Sequence, residues 1–155
     1  MGQQTRALDG EYEPSAWDWV REQVERYEAT DGREANTLRG TDDPIIVTTS
    51  RGAKSGKLRK NPLMRVEKDG KYVAVASKGG GPTHPTWYRN FLTHPEVELQ
   101  DGADKRLYRA RLLEGEERAE WFSYAVEVWP QYGKYEITAA EHGREIPVFL
   151  LEPLP

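Results

Sequence analysis

The chain has 155 residues, 31% of them charged, a net charge of −4 and no cysteine. That length suits one domain burying roughly 70% of its unfolded surface, and the missing thiols exclude a disulfide framework, a thiolate zinc site and a cysteine nucleophile. The negative balance argues against nucleic acid as a partner.

The opening MGQQTRALDGEYEP has no apolar run behind a basic segment, and Arg6 stands where acylation of Gly2 would want Ser or Thr. No later stretch is apolar for the length a bilayer crossing needs, so a cytoplasmic protein is expected. A single domain over 1–155 is expected, with an arm and amphipathic helix in 1–33 and a β-barrel in 34–155.

In chain order, Ser15 and Asp18 read as a helix start, and Trp17, Val20, Val24 and Tyr27 recur at helical spacing until Asp31-Gly32. This stripe, with Trp19, suits packing on the barrel or on a partner subunit in a homodimer. Weak peripheral contact with a membrane is the rival use, and Glu22, Glu25 and Glu28 oppose it on anionic lipid.

From Ile45 the texture turns to β-branched runs: IIVTTS, then RGAKSGK, then a segment through Asn61-Pro62 to Val66. Lys68-Asp69-Gly70-Lys71 reads as a hairpin turn. A strand over Tyr72–Ser77 breaks at Gly79–Gly81, a short helix follows Pro85 over Thr86–Thr93, and strands are expected over Val97–Gln100 and Arg106–Leu113. Glu116–Val128 reads as a second amphipathic helix ended by Pro130, followed by an irregular Tyr-rich stretch and a strand over Ile146–Leu151. Short turns between most strands imply a mainly antiparallel sheet, and about six strands with few helices suggest a barrel.

Four segments could carry chemistry. RGAKSGK is not a P-loop, because Gly52 and Gly56 are one residue too close and Leu58 replaces the magnesium-binding hydroxyl; it reads either as a solvated hairpin tip or as an anion loop served by Lys54, Lys57, Arg59 and Lys60. The glycines after Ala76-Ser77-Lys78 read either as a flexible loop or as a site of close backbone approach to a ligand, where the Ser77 hydroxyl can bond a ring edge; three in a row cost conformational entropy, which favours the second. Trp87 and Asn90 share one helical face, Trp87 suiting a core anchor as well as a pocket wall. Tyr132 and Tyr135, in WPQYGKY, suit either a pocket wall with a proton to give or a surface lid over the core. His84, His94 and His142 have no metal-ligand spacing, so no metal is expected.

Taken in order, TTSRGAKSGKLRKNPLMRV, VAVASKGGGPTHPTWYRNFLTHPEVEL and EERAEWFSYAVEVWPQYGKYEITAAEHGREIPVFLLEP resemble the deazaflavin-dependent nitroreductase family, from about Leu38 onward. The resemblance implies a split β-barrel like that of FMN-binding oxidoreductases, loaded here with coenzyme F420, and hydride transfer to an organic acceptor such as a quinone, a nitro compound or an activated double bond. By the same resemblance Lys54, Ser55, Gly56 and Lys57, with Arg59, hold the phosphate and glutamate tail. Asn61, Pro62, Leu63 and Met64 run beside the deazaflavin ring, while Ala76, Ser77, Lys78, Gly79 and Gly80 with Trp87, Tyr88 and Asn90 enclose the rest. Tyr132 and Tyr135 match tyrosines of the acceptor pocket; Met64 and Trp129 depart from tyrosines in a better-known member. An FMN-dependent enzyme of the same fold, or a non-enzymatic F420 carrier, are the alternatives.

Overall fold

In a computed structural model the described residues are 8–155; Gly2 and Arg6, on which the acylation reading rests, lie outside them. Helix α1 (Asp18–Ala29) precedes strands β1 (Ile45–Arg51), β2 (Leu58–Met64), β3 (Glu67–Lys68) and β4 (Lys71–Val75). Then come α2 (Thr86–Thr93), β5 (Glu96–Asp101), β6 (Asp104–Leu112), α3 (Gly115–Val128), α4 (Gln131–Glu141) and β7 (Val148–Pro153). No described helix is long and apolar enough to cross a membrane.

The seven strands form one antiparallel sheet in the order β2-β1-β5-β6-β7-β4-β3. Its two edges, β2 and β3, are joined in sequence by Arg65 and Val66 alone. So short a link cannot cross a flat seven-stranded sheet, since it spans only about 7 Å. The sheet therefore curls until its edges approach, and the expected split barrel is what forms.

Curling buries both faces, which is why β1 is buried without alternation from Ile45 to Ser50. Ile46, Ala74, Leu99, Tyr108 and Phe149 fill the inside, where α2 adds Trp87 and Phe91. Ile45, Val47, Val73, Val75 and Leu150 point the other way and are covered by Val24 and Tyr27 of α1, Phe122 of α3 and Tyr132 of α4. The hairpin between β3 and β4 turns as expected, with Asp69 and Gly70 both left-handed (φ 54° and 81°), the backbone of a type I′ turn.

Two expectations need correction. The helix after the arm begins at Asp18, and Ser15 does not cap it; its hydroxyl accepts only the Trp17 N–H, at 3.1 Å. The Tyr-rich stretch is not irregular: Pro130 ends α3 but has helical backbone itself (φ −56°, ψ −20°) and starts α4. Tyr132 and Ala139 bury one face of that helix. Their seven-residue spacing, with Tyr135 between, was the helical signal that Gly133 and the nearby proline obscured.

Candidate coenzyme site

Two neighbouring hollows share part of their lining. The smaller, of about 210 Å³, is a slot between Pro62, Leu63 and Met64 of β2 and Trp129, Tyr132 and Tyr135 around the start of α4. Val75, Ser77, Lys78 and Gly79 line it from the end of β4, and Trp19, Gln23 and Leu38 from the α1 side. The larger, of about 1320 Å³, is a groove that shares Trp19, Lys78, Pro85 and Trp87 with the slot and runs past Ala53, Lys54, Ser55, Arg59, Asn61, Tyr88 and Asn90.

The slot's walls are fixed by bonds made elsewhere. Trp129 donates its indole N–H to Asp43 at 3.1 Å and meets Tyr132 edge-on at 4.9 Å and Tyr135 at 5.7 Å between centroids. Gln23 donates to the Ala35 and Thr37 carbonyls at 3.1 and 2.8 Å, which secures the segment carrying Leu38. Tyr132 is 4% exposed, and burial, with Tyr135 beside it, pushes its phenol well above the ordinary range. It therefore keeps its proton at neutral pH and has a hydrogen to donate.

The loop after β4 has unusual backbone. Lys78, Gly79 and Gly80 are all left-handed, at φ 47°, 64° and 77°. Glycine takes this shape freely, but in Lys78, whose side chain reaches both hollows, it stores strain of about 1 kcal/mol or more. At Gly80 a side chain is also barred by space, since a Cβ would lie 2.7 Å from the Tyr135 carbonyl and 2.9 Å from Thr138 Cβ. The loop is thus seated directly on α4.

In the groove six cationic side chains (Lys54, Arg59, Lys60, Lys78, Arg89 and Arg144) face two carboxylates (Glu13 and Glu145). The loop bearing Lys54 is tied to α2, because Asn90 Oδ1 accepts the Ala53 N–H at 2.9 Å. That bond is the partner a half-buried amide needs, and Asn90 lines the groove.

Of the residues the sequence singled out, Lys54, Ser55, Arg59, Asn61, Lys78, Trp87, Tyr88 and Asn90 meet at the groove, and Pro62, Leu63, Met64, Ser77, Lys78, Gly79, Trp87, Tyr132 and Tyr135 at the slot. Four do not line either hollow. Gly56 and Lys57 sit at the tip of the β1–β2 turn, where Gly56 gives its carbonyl to Arg51 at 3.0 Å and Lys57 pairs with Glu11 at 3.5 Å. Ala76 is buried inside the barrel, and Gly80 is covered by α4. The acidic arm also takes Arg59, whose partner Glu13 is at 3.7 Å, while Lys60 pairs with Glu28.

Sequence reading missed Trp19, Gln23 and Leu38 as slot residues, and His84, Arg89 and Arg144 as groove residues. The first three come from the segment before the barrel, and only the curl of β2 brings them near Met64. The described residues contain no cluster of three or more side chains able to hold a metal ion.

The donor set fits a flat ring with an acidic tail: an apolar slot faced by aromatic rings, beside a groove with excess positive charge. Comparison with known proteins agrees. A Mycobacterium tuberculosis protein named for F420H(2)-dependent quinone reduction is 32% identical over 114 residues, 71% of this chain and 90% of its own. A solved F420-H2 dependent reductase is 50% identical over 74% of this chain and 99% of its own, with a TM-score of 0.65. A structure solved as a domain-swapped dimer is also 50% identical, covering 87% and 98%, with a TM-score of 0.67. The model of the F420H(2)-dependent quinone reductase family matches residues 19–153, so that α1 falls within the resemblance too, and the chain belongs to that family.

Proposed function

We propose that this chain reduces a quinone with hydride drawn from F420H(2), the deazaflavin ring lying in the slot and the phosphate and glutamate tail in the groove. One observation carries the reading: the aromatic slot shares Trp19, Lys78, Pro85 and Trp87 with a neighbouring groove in which cations outnumber carboxylates. When bound, the reduced deazaflavin supplies the hydride. The chain's own residues bind, orient and exclude water.

Pro62, Leu63 and Met64 would form one wall against the ring, and Ser77 would give its hydroxyl to the ring edge, with Gly79 allowing close approach. Lys54, Ser55, Arg59, Lys78 and Asn90 would hold the tail through charge-assisted bonds, flanked by Trp87 and Tyr88. Trp129, Tyr132 and Tyr135 would press the acceptor toward the ring, where transfer needs reacting atoms about 3–3.5 Å apart. Tyr135, partly exposed beside the slot, is the proton donor in this reading; Tyr132, held in its phenol form by burial, is not. Flat nitro compounds and activated double bonds are further acceptors of the same shape. The domain-swapped relative supports a homodimer, which light scattering would measure.

The test is titration with F420 and, separately, FMN, read by quenching of the tryptophans at the slot. Tighter binding of F420 is expected, and preference for FMN would overturn the assignment. Turnover of a quinone by the loaded protein is expected, while a bound coenzyme that stays reduced with every quinone and nitro compound would make the chain a carrier.

A further inference from the structure

Arg144 lines the groove but is given no bond to the coenzyme, and few described side chains are better bonded within the fold. Gly143, left-handed at φ 72°, ends α4, and the Arg144 N–H closes the helix on the Ala139 carbonyl at 2.9 Å. Only 9% of the residue is exposed. Its Nε donates to the Gly81 carbonyl at 2.8 Å, one terminal nitrogen to the Ala76 carbonyl at 3.1 Å and to His84 Nδ1 at 2.6 Å, and the other to the Ser77 carbonyl.

A single guanidinium thus joins both ends of the strained loop, residues 76 and 81, to the C-terminal end of α4. No carboxylate of the described residues pairs with it. A buried cation held by neutral acceptors alone is costly to keep, unlike one neutralised by an acid. Packing gives no reason to choose arginine here, whereas a planar fork with five donors is suited to gathering carbonyls that face one point. Because arginine does not release its proton, His84 must accept at Nδ1 and carry its hydrogen on Nε2. His84 lines the groove and packs on Tyr88 at 4.5 Å between ring centroids, so this tautomer offers an acidic ligand a donor.

We propose that Arg144 is a positioning residue for coenzyme binding: by holding the carbonyls of Ala76, Ser77 and Gly81 from behind, it keeps Ser77, Lys78 and Gly79 along the slot, and it sets His84 as a donor in the groove. The proposal rests on the coenzyme reading of the site. Arg144 touches neither ring nor acceptor in this account and acts through the loop.

Hydrogen exchange on the coenzyme-free protein separates this role from a general structural one. In Arg144→Met, amides of residues 77–84 are expected to exchange at least about tenfold faster while those of β1, β5 and β6 are unchanged. The F420 dissociation constant, by tryptophan quenching, is expected to rise about tenfold, with kcat at saturating coenzyme within about twofold of wild type. Arg144→Lys, with a point charge instead of a fork, should restore little of this affinity. His84→Ala, which leaves the loop anchors in place, should raise the constant by about two- to threefold. Faster exchange across the whole sheet, or unchanged exchange at 77–84 with unchanged affinity, would overturn the proposal. Wild-type protein that fails to bind F420 would overturn the proposed function instead, and the exchange pattern would still decide for or against the clamp.

Discussion

The slot rests on strand backbone and interlocked rings, whereas the groove beside it is edged by a turn and by long, flexible cations. Met64 and Tyr132 belong to the core itself, so the slot's shape is held by the same packing that holds the fold. Lys54 is exposed and makes no ion pair among the described residues, while Arg59 is already paired with the chain's own Glu13. A preformed apolar slot gives geometry; a solvent-facing charged rim gives attraction that screening weakens. The two hollows should therefore fail differently when altered.

The sharpest way to break that contrast is at the slot's base. Gly80→Ala would drive a methyl against the Tyr135 carbonyl and hold alanine at φ 77°, for an expected loss of about 2–4 kcal/mol in urea unfolding and of most F420 binding. Next, at the rim, Lys54→Ala with Arg59→Ala should weaken long-tailed F420 about tenfold at low salt and progressively less as salt rises, leaving a tail-less deazaflavin unaffected. Lys57→Ala, by contrast, should change affinity less than about twofold, because this lysine stands outside the groove at Glu11. Glu13→Gln frees Arg59 at the rim and should tighten long-tailed F420 by about twofold, measured in the same titration. Smallest of all, Tyr132→Phe should leave kcat within about twofold; a fall of a hundredfold or more would make Tyr132 the proton donor after all.

Local chemistry made much of this legible. Asp69-Gly70 reads as a tight hairpin, and the clustering of Lys54, Arg59 and Lys60 pointed to either a solvated tip or an anion-binding loop before any geometry did. What stayed hidden depends on distance along the chain. Trp19 comes well before Met64 in sequence, and nothing in either segment says that they share a wall. Lys57 looked equivalent to Lys54, and only the path of the arm past β2 separates them, through the Leu58 N–H bond to the Glu11 carbonyl at 2.7 Å. Arg144 lay in a stretch with no motif, and its meaning comes from carbonyls some sixty residues earlier. α4 failed for a local reason, since a proline that ends one helix can equally begin the next.

Because Gly80 lies flush against the backbone of Tyr135, the segment proposed to face the electron acceptor also supports the segment proposed to grip the donor. Exchanging residues 131–138 for those of a relative, in the hope of a new substrate range, would disturb donor grip unless residues 76–81 came along. In a lineage of such enzymes the two segments should change in concert, and engineers should treat them as one cassette.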